Sequence, residues 1–345
     1  MITFCTYFDS NYLDKGLMLY RSLKRNCKGF KLYIFCFDHK AFEVLDSYHL
    51  TNAVLIQWER FETEELLRLK KERTRAEYCW TCTPQIILHV LENYDDDHCI
   101  YIDADMAFFS DPVVLLDEIR TAKGHIGLME HRFNKGFFGR RYLRRSGRFC
   151  VEFNYFDKTE ESAKALRWWA QKCMEWCFQV YEPERMGDQK YLEKFPDLFH
   201  GVHIFSHPGA GVAPWNSRQY KSYYEGNELK LQLKGQGLDT SLIFYHFQNI
   251  RYMTPRFLNI GSGTSRKDIK KNIYFPYLYG IEACRRALRN KGIDFQHGKV
   301  SSSNPLIAVW QRYFLRFKVK TVSDVVDMRS VVRYVRKAGR GRVLM

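Results

Sequence analysis

The sequence contains no uninterrupted apolar stretch approaching the ~18 residues that a bilayer-spanning helix needs. Its opening, Met1-Ile2-Thr3-Phe4-Cys5-Thr6-Tyr7, has no cationic segment ahead of an apolar one. Both absences argue against a spanning or exported protein, so a cytoplasmic location is expected. No internal repeat is evident, which sets stacked-repeat architectures aside. A glycine-rich, Lys- or Arg-containing loop is also missing after the first strand, where Phe8-Asp9-Ser10-Asn11-Tyr12 stands instead. A nucleotidyltransferase holding a triphosphate at that loop is therefore disfavoured. Ten cysteines are present, but they are scattered, and Cys5, Cys36, Cys99 and Cys150 fall inside strand-like runs. Reduced core thiols fit this pattern better than a disulfide framework. Cys79-x-x-Cys82 has zinc-like spacing, and Cys173 and Cys177 suit one helix face, but neither pair belongs to a compact metal ribbon.

What is present is a chain of 345 residues, 46% hydrophobic, with a formal charge of +15. That is enough to bury one large α/β core, or one core with a smaller C-terminal appendage. The positive balance implies an anionic partner: nucleic acid, an anionic membrane surface or a phosphorylated substrate.

Strand-like and helix-like segments alternate through the first half, the pattern of a mainly parallel sheet flanked by helices. Strands are expected at Ile2 to Phe8, Phe30 to Phe37, Ala53 to Gln57, His98 to Ile102, His125 to Glu130 and Phe149 to Phe156. Helices are expected from Asn11 to Asn26, from Thr83-Pro84 to about Tyr94, and from Glu160 to Val180, with a shorter one opening at Asp188. From Phe199 the chain reads as loop-rich. A boundary is expected near residue 260, separating residues 1–260 from a basic, aromatic C-terminal region of residues 261–345. There Leu306, Val309, Trp310, Tyr313, Phe314 and Phe317 recur at helical spacing with Arg312 and Arg316 between them. This amphipathic helix suits docking onto the first region or onto an anionic bilayer, helped by Lys318, Lys320, Arg333, Arg336, Lys337, Arg340 and Arg342.

The chemistry concentrates at Cys99-Ile100-Tyr101-Ile102-Asp103-Ala104-Asp105-Met106, where two carboxylates follow a buried strand. Ligands of open α/β sheets bind at such strand ends. Oxygen ligands there suit Mn²⁺ or Mg²⁺, which can bridge and neutralise a nucleotide diphosphate; the plainer reading is a pair of solvated turn carboxylates.

In motif order, residues Ile2 to Gln248 resemble the GT-A-fold glycosyltransferases, particularly the retaining group of glycogenin and the bacterial lipopolysaccharide galactosyl- and glucosyltransferases. The resemblance implies a GT-A (Rossmann-like) fold and transfer of a hexose from a UDP-sugar to a glycan or lipid-linked saccharide. It places Tyr7 and Asp9 at the uracil and ribose, and Asp103 and Asp105 at the metal, with His246 of Tyr245-His246-Phe247 as third ligand. Asn154 of Phe153-Asn154-Tyr155-Phe156 falls near the donor sugar. Asp188 and Gln189 of Gly187-Asp188-Gln189 fall at the sugar and the anomeric carbon, and Trp215-Asn216 matches a later Trp-Asn step. Arg75, Glu77 and Thr81 lie on a helix that approaches the donor in that family. Taken singly, Asp188 also reads as a helix cap, His246 as a core histidine, Asn154 as a turn former and Trp215 as packing. The family's Gly and Lys-Pro-Trp step is replaced by Gln248-Asn249-Ile250-Arg251, leaving Arg251, Arg256 and Lys267 as candidates for the diphosphate.

Phe137-Phe138-Gly139-Arg140-Arg141-Tyr142-Leu143-Arg144-Arg145 interleaves aromatics with arginines between the metal motif and the Asn154 strand. It reads as an acceptor-side element. A nucleic-acid or anionic-membrane binding protein without transferase activity is the rival from another class. Within transferases, an inverting enzyme using Asp188 as base is the alternative to retention.

Overall fold

The structure, a computed structural model, describes residues 1–235, 237, 239–261, 266–295 and 325–339. The amphipathic segment from Leu306 to Phe317 lies outside the described residues.

A seven-stranded sheet forms the centre. Four parallel strands, β1 (Ile2–Phe8), β2 (Phe30–Cys36), β3 (Ala53–Gln57) and β4 (His98–Ile102), stand in the order β3-β2-β1-β4. The sheet continues through β7 (Phe149–Asp157), β6 (Ile126–Glu130) and β8 (Val202–Ile204), with β7 antiparallel to both β4 and β6. Both faces are covered, which explains why β1, β2 and β4 read as nearly continuous apolar runs rather than alternating ones. The expected mixed, mainly parallel α/β class is what the chain adopts.

On one face lie α1 (Leu13–Asn26) and α10 (Phe275–Arg289), with α11 (Met328–Lys337) packed on α10. On the other lie α4 (Arg75–Asn93) and α7 (Glu160–Glu175). Between them in sequence come α2 (His39–Asp46), α3 (Glu64–Glu72), β5 (Met106–Phe108), α5 (Val113–Thr121) and α6 (Phe137–Ser146). The later region is less loop-like than expected. After α8 (Phe195–Leu198) it carries an antiparallel meander of β9 (Tyr220–Glu225), β10 (Glu228–Leu233) and β11 (Asp239–Ser241). Then come β12 (Phe244–His246), the pair β13 (Arg251–Tyr252) and β14 (Phe257–Asn259), and α9 (Lys267–Ile269). β15 (Val325–Asp327) returns to pair with β14.

Two helix boundaries differ from the expected ones. α4 starts at Arg75, not at Thr83, because Thr74 and Glu77 form a capping box: the Glu77 Oε2 accepts from the Thr74 N–H at 2.9 Å and the Thr74 hydroxyl accepts from the Glu77 N–H at 3.4 Å. Pro84 is therefore interior, where it lacks the N–H that would reach the Trp80 carbonyl. α7 ends at Glu175 rather than Val180, since Trp176 is already extended (φ −156°, ψ 120°).

Candidate active site

β4 delivers Asp103 and Asp105 to a tight turn closed by the Met106 N–H donating to the Asp103 carbonyl at 3.2 Å. The chain then enters β5, whose antiparallel partner is β12, with His246 directly opposite Met106. That pairing, between segments far apart in sequence, sets the imidazole beside the two carboxylates. Its Nε2 lies 3.1 Å from the Asp105 Oδ1 and 3.6 Å from the Asp103 Oδ2. The Phe247 N–H donates to the Asp105 carbonyl at 2.9 Å and fixes the register.

Behind the imidazole stands Glu152 of β7, fully buried, whose Oε2 is 2.6 Å from the His246 Nδ1. A carboxylate at Nδ1 holds a proton there, so an ion that displaced the Nε2 proton would meet the Nε2 lone pair beside the aspartates, the arrangement that orients metal-binding histidines. Asp103, Asp105 and His246 offer one ligand atom each within 4.8 Å of one another. Two carboxylates and one imidazole are a donor set suited to Mn²⁺ or Mg²⁺. A second grouping of Cys150, Glu152 and His246 is buried throughout. Because Nδ1 is already engaged by Glu152, the aspartate side, which keeps partial exposure, is the one open to an ion. Among the described residues neither grouping includes Cys79, Cys82, Cys173 or Cys177, and all ten cysteines are free thiols.

The electrostatics follow from this crowding. Burial pushes the Asp103 carboxyl up, with His246 opposing and Asp105 adding to the rise. Burial would also raise Asp105, but the adjacent imidazole outweighs it and holds that carboxyl low. For His246, burial favours the neutral ring, and Asp105 with its hydrogen-bonding neighbours overcomes it, so the ring titrates well above its ordinary range.

Asp103 and His246 form the floor of a cleft of about 880 Å³ at the carboxyl end of β1 and β4, with Asp105 beside them. One wall is the Gly187-Asp188-Gln189 element. Gly187 takes a left-handed φ of +56°, and a side chain there would come within 3.3 Å of the Trp80 ring, so the turn favours glycine. Asp188 is 4% exposed; it precedes a short 3-10 segment, Gln189–Lys194, without capping it. Its carbonyl accepts from the Trp169 indole at 2.9 Å, while its Oδ2 has no hydrogen-bond partner among the described residues. Burial pushes its carboxyl up to about 7, local backbone and Thr83 hydrogen bonds opposing and the Asp103 charge adding. Gln189 lines the cleft and donates from Nε2 to the Ser146 carbonyl at 2.9 Å.

The opposite wall is aromatic. His131 stacks on Phe133 (4.5 Å, 13°), Phe133 on Tyr142 (6.0 Å, 28°), and Trp215 sets its edge against both His131 and His246. Asn216, fully buried, holds this wall: its amide donates to the carbonyls of His131 (2.9 Å) and Gly211 (2.7 Å) and accepts from the Ala213 N–H at 2.9 Å.

Tyr7 lines the cleft, stacked on Phe37 at 4.8 Å with its hydroxyl 3.2 Å from that of Thr83. Asp9 caps the short turn before α1 and forms an ion pair with Arg75, and neither is part of the cleft lining. Asn154 is fully buried in β7 opposite Tyr101, donating to the Val151 carbonyl at 3.0 Å. Lys267 is exposed at the first position of α9, and Arg251 is exposed on β13. Arg256 is paired with Asp327 through bonds of 3.0 and 2.6 Å. Glu77 accepts from the Gln179 N–H at 2.8 Å, and Thr81 accepts from Arg73. Among the described residues the cations that line the cleft are Lys135 and Arg218; the neutral Gln248 and Asn249, after His246, line it too. Sequence reasoning passed over Glu152, Trp80 and His131. For Glu152 the signal was a carboxylate in the middle of a strand whose other residues, Asn154 and the terminal Asp157 apart, are apolar or aromatic.

No family model matches the chain. Over 318 residues it is 32% identical to the uncharacterized protein YfnD of Bacillus subtilis (strain 168), covering 91% of this chain and 98% of that one. The uncharacterized protein YfnF of the same organism is 28% identical over 273 residues, 77% of this chain and 87% of its own. In structure the chain aligns with galactosyltransferase LgtC, solved in complex with donor and acceptor sugar analogs, at a TM-score of 0.50 and 11% identity, over 82% of this chain and 96% of LgtC. That likeness is one of fold. The chain belongs to the family of YfnD and has the GT-A fold.

Proposed function

We propose that this chain is a glycosyltransferase that uses Mn²⁺ or Mg²⁺ to move a hexose from a nucleotide diphosphate sugar, a UDP-sugar, to a glycan or lipid-linked saccharide. The observation that carries the reading is the triad of Asp103, Asp105 and His246, its imidazole oriented from behind by Glu152, with Asp103 and His246 on the floor of a cleft whose wall presents Asp188 and Gln189. Asp103, Asp105 and the His246 Nε2 would hold the ion, which would supply positive charge against the departing diphosphate. The stacked Tyr7 and Phe37 rings offer a flat apolar surface for a nucleobase. Asp188 and Gln189 face the space where the sugar would lie; the buried Asp188 carboxyl suits a hydrogen bond to a sugar hydroxyl. LgtC, of the same fold, was solved with donor and acceptor sugar analogs. In the retaining course the acceptor oxygen bonds the anomeric carbon as its bond to the phosphate oxygen breaks, and the acceptor proton passes to that phosphate.

A second reading, inversion with Asp188 as base, draws on the rise of its carboxyl to about 7, a value at which a carboxylate takes up a proton readily near neutrality. Two measurements test these readings. Sugar nucleotides are screened for Mn²⁺-dependent thermal stabilisation, which Asp103→Ala should abolish; stabilisation by none of them counts against the whole proposal. The product anomer is then read by proton NMR, and an inverted configuration removes the retaining course.

A further inference from the structure

Six of the twelve large apolar side chains that the described residues leave exposed gather at one place. Phe137, Phe138, Tyr142 and Leu143 of α6 are 67, 70, 50 and 45% exposed, and Val180 and Tyr181 are 56 and 42% exposed. The two segments meet: the Lys190 amine donates to the Arg144 carbonyl at 3.0 Å and sits 5.1 Å from the centre of the Tyr181 ring. Together they form a lip of the cleft, which Phe137, Phe138 and Tyr142 help line. α6 buries none of its ten residues. From His131 to Arg148 the chain carries seven cations, Lys135 and six arginines, and no carboxylate. Arg140, Arg141, Arg144 and Arg145 are all solvent-accessible along this helix.

Each component narrows the partner. A cluster of uncovered rings of this size marks an interaction surface. Aromatics and arginines also serve protein interfaces, but seven cations without a carboxylate from His131 to Arg148 call for a partner surface that is anionic throughout. A polyanion without rings would engage the arginines and leave Phe137 and Phe138 without a role, and a single-stranded nucleic acid would stack on the rings but leave the aliphatic Leu143 and Val180 without one. Rings beside guanidinium groups on a short amphipathic helix are matched by the boundary of an anionic bilayer, where aromatics settle at headgroup level and arginines meet lipid phosphates.

We propose that α6, with Val180 and Tyr181, is a membrane-docking surface that seats the mouth of the cleft on an anionic bilayer. The surface is tied to the cleft wall by two bonds, from Gln189 to the Ser146 carbonyl and from Lys190 to the Arg144 carbonyl. Docking thus holds the Gly187-Asp188-Gln189 element at the lipid surface, where a lipid-borne acceptor would arrive. The inference is independent of what the cleft transfers, so lipid alone tests it.

The full chain is floated with vesicles of phosphatidylcholine containing phosphatidylglycerol, and with phosphatidylcholine alone. Binding to the anionic vesicles should exceed binding to the neutral ones by about tenfold or more. Two variants probe the two components: F137S/F138S removes the rings and R141E/R145E reverses two charges. Each should lower partition by roughly fivefold or more while the melting temperature stays at the parent value, because none of the four positions is buried. Equal binding to neutral vesicles, parent-like partition of either variant, or binding to dextran sulfate without binding to vesicles would overturn the assignment.

Discussion

Replacing Asp188 with asparagine should stabilise the protein and disable it together. The carboxyl is 4% exposed, faces Asp103 and leaves one oxygen without a partner among the described residues, so its ionised form is held at a cost. Raising it from an ordinary 3.8 to about 7 corresponds, at 1.36 kcal/mol per pKa unit, to roughly 4 kcal/mol once it is ionised in both folded and unfolded chains. The sign follows from linkage. Below about pH 4 the group is protonated in both states and costs nothing; between about 4 and 7 the unfolded chain releases the proton first, so stability falls; above about 7 the loss is constant. The amide of the variant cannot ionise and escapes that loss. Urea denaturation with EDTA present should find Asp188→Asn close to the parent near pH 4 and more stable by about 2–4 kcal/mol near pH 8, while glycosyl transfer drops by about a hundredfold or more. A variant less stable than the parent at the higher pH, or a difference that does not change with pH, would refute the reasoning.

Glu152→Gln should weaken Mn²⁺ binding by about 10- to 100-fold with the fold intact, because an amide no longer obliges the His246 proton to sit on Nδ1; electron paramagnetic resonance titration reads the affinity. Gly187→Ala should cost about 1–2 kcal/mol from the left-handed backbone alone. The new methyl group also presses on Trp80, so Mn²⁺-dependent stabilisation by sugar nucleotide should weaken beyond that loss. Asn216→Ala strips partners from two carbonyls and one N–H and should lower the unfolding free energy by roughly 2–4 kcal/mol in chemical denaturation.

Much of the fold was legible because its signals are local. β1, β2 and β4 are short apolar runs, and a run buried on both faces announces itself without reference to its neighbours. Where two local signals competed, the reading slipped: Thr83-Pro84 looked like a helix start, but the capping box of Thr74 and Glu77 had already begun the helix two turns earlier. The end of α7 was missed for a similar reason, since apolar spacing continues past Glu175 although the backbone does not.

The chemical inventory at Asp103, Asp105, Asp188, Gln189 and His246, and the order in which the strands present it, can be read along the chain. That His246 meets the two aspartates is settled by folding, because it depends on the pairing of β12 with β5, a long-range register with no local signature. The same holds for Glu152, whose role exists only once the imidazole stands in front of it. It holds for Arg256 too, drawn to Asp327, while Lys135 and Arg218 line the cleft instead. Residue type follows from the chain locally; proximity follows from how distant segments bury one another, and the metal-capable centre is a matter of proximity.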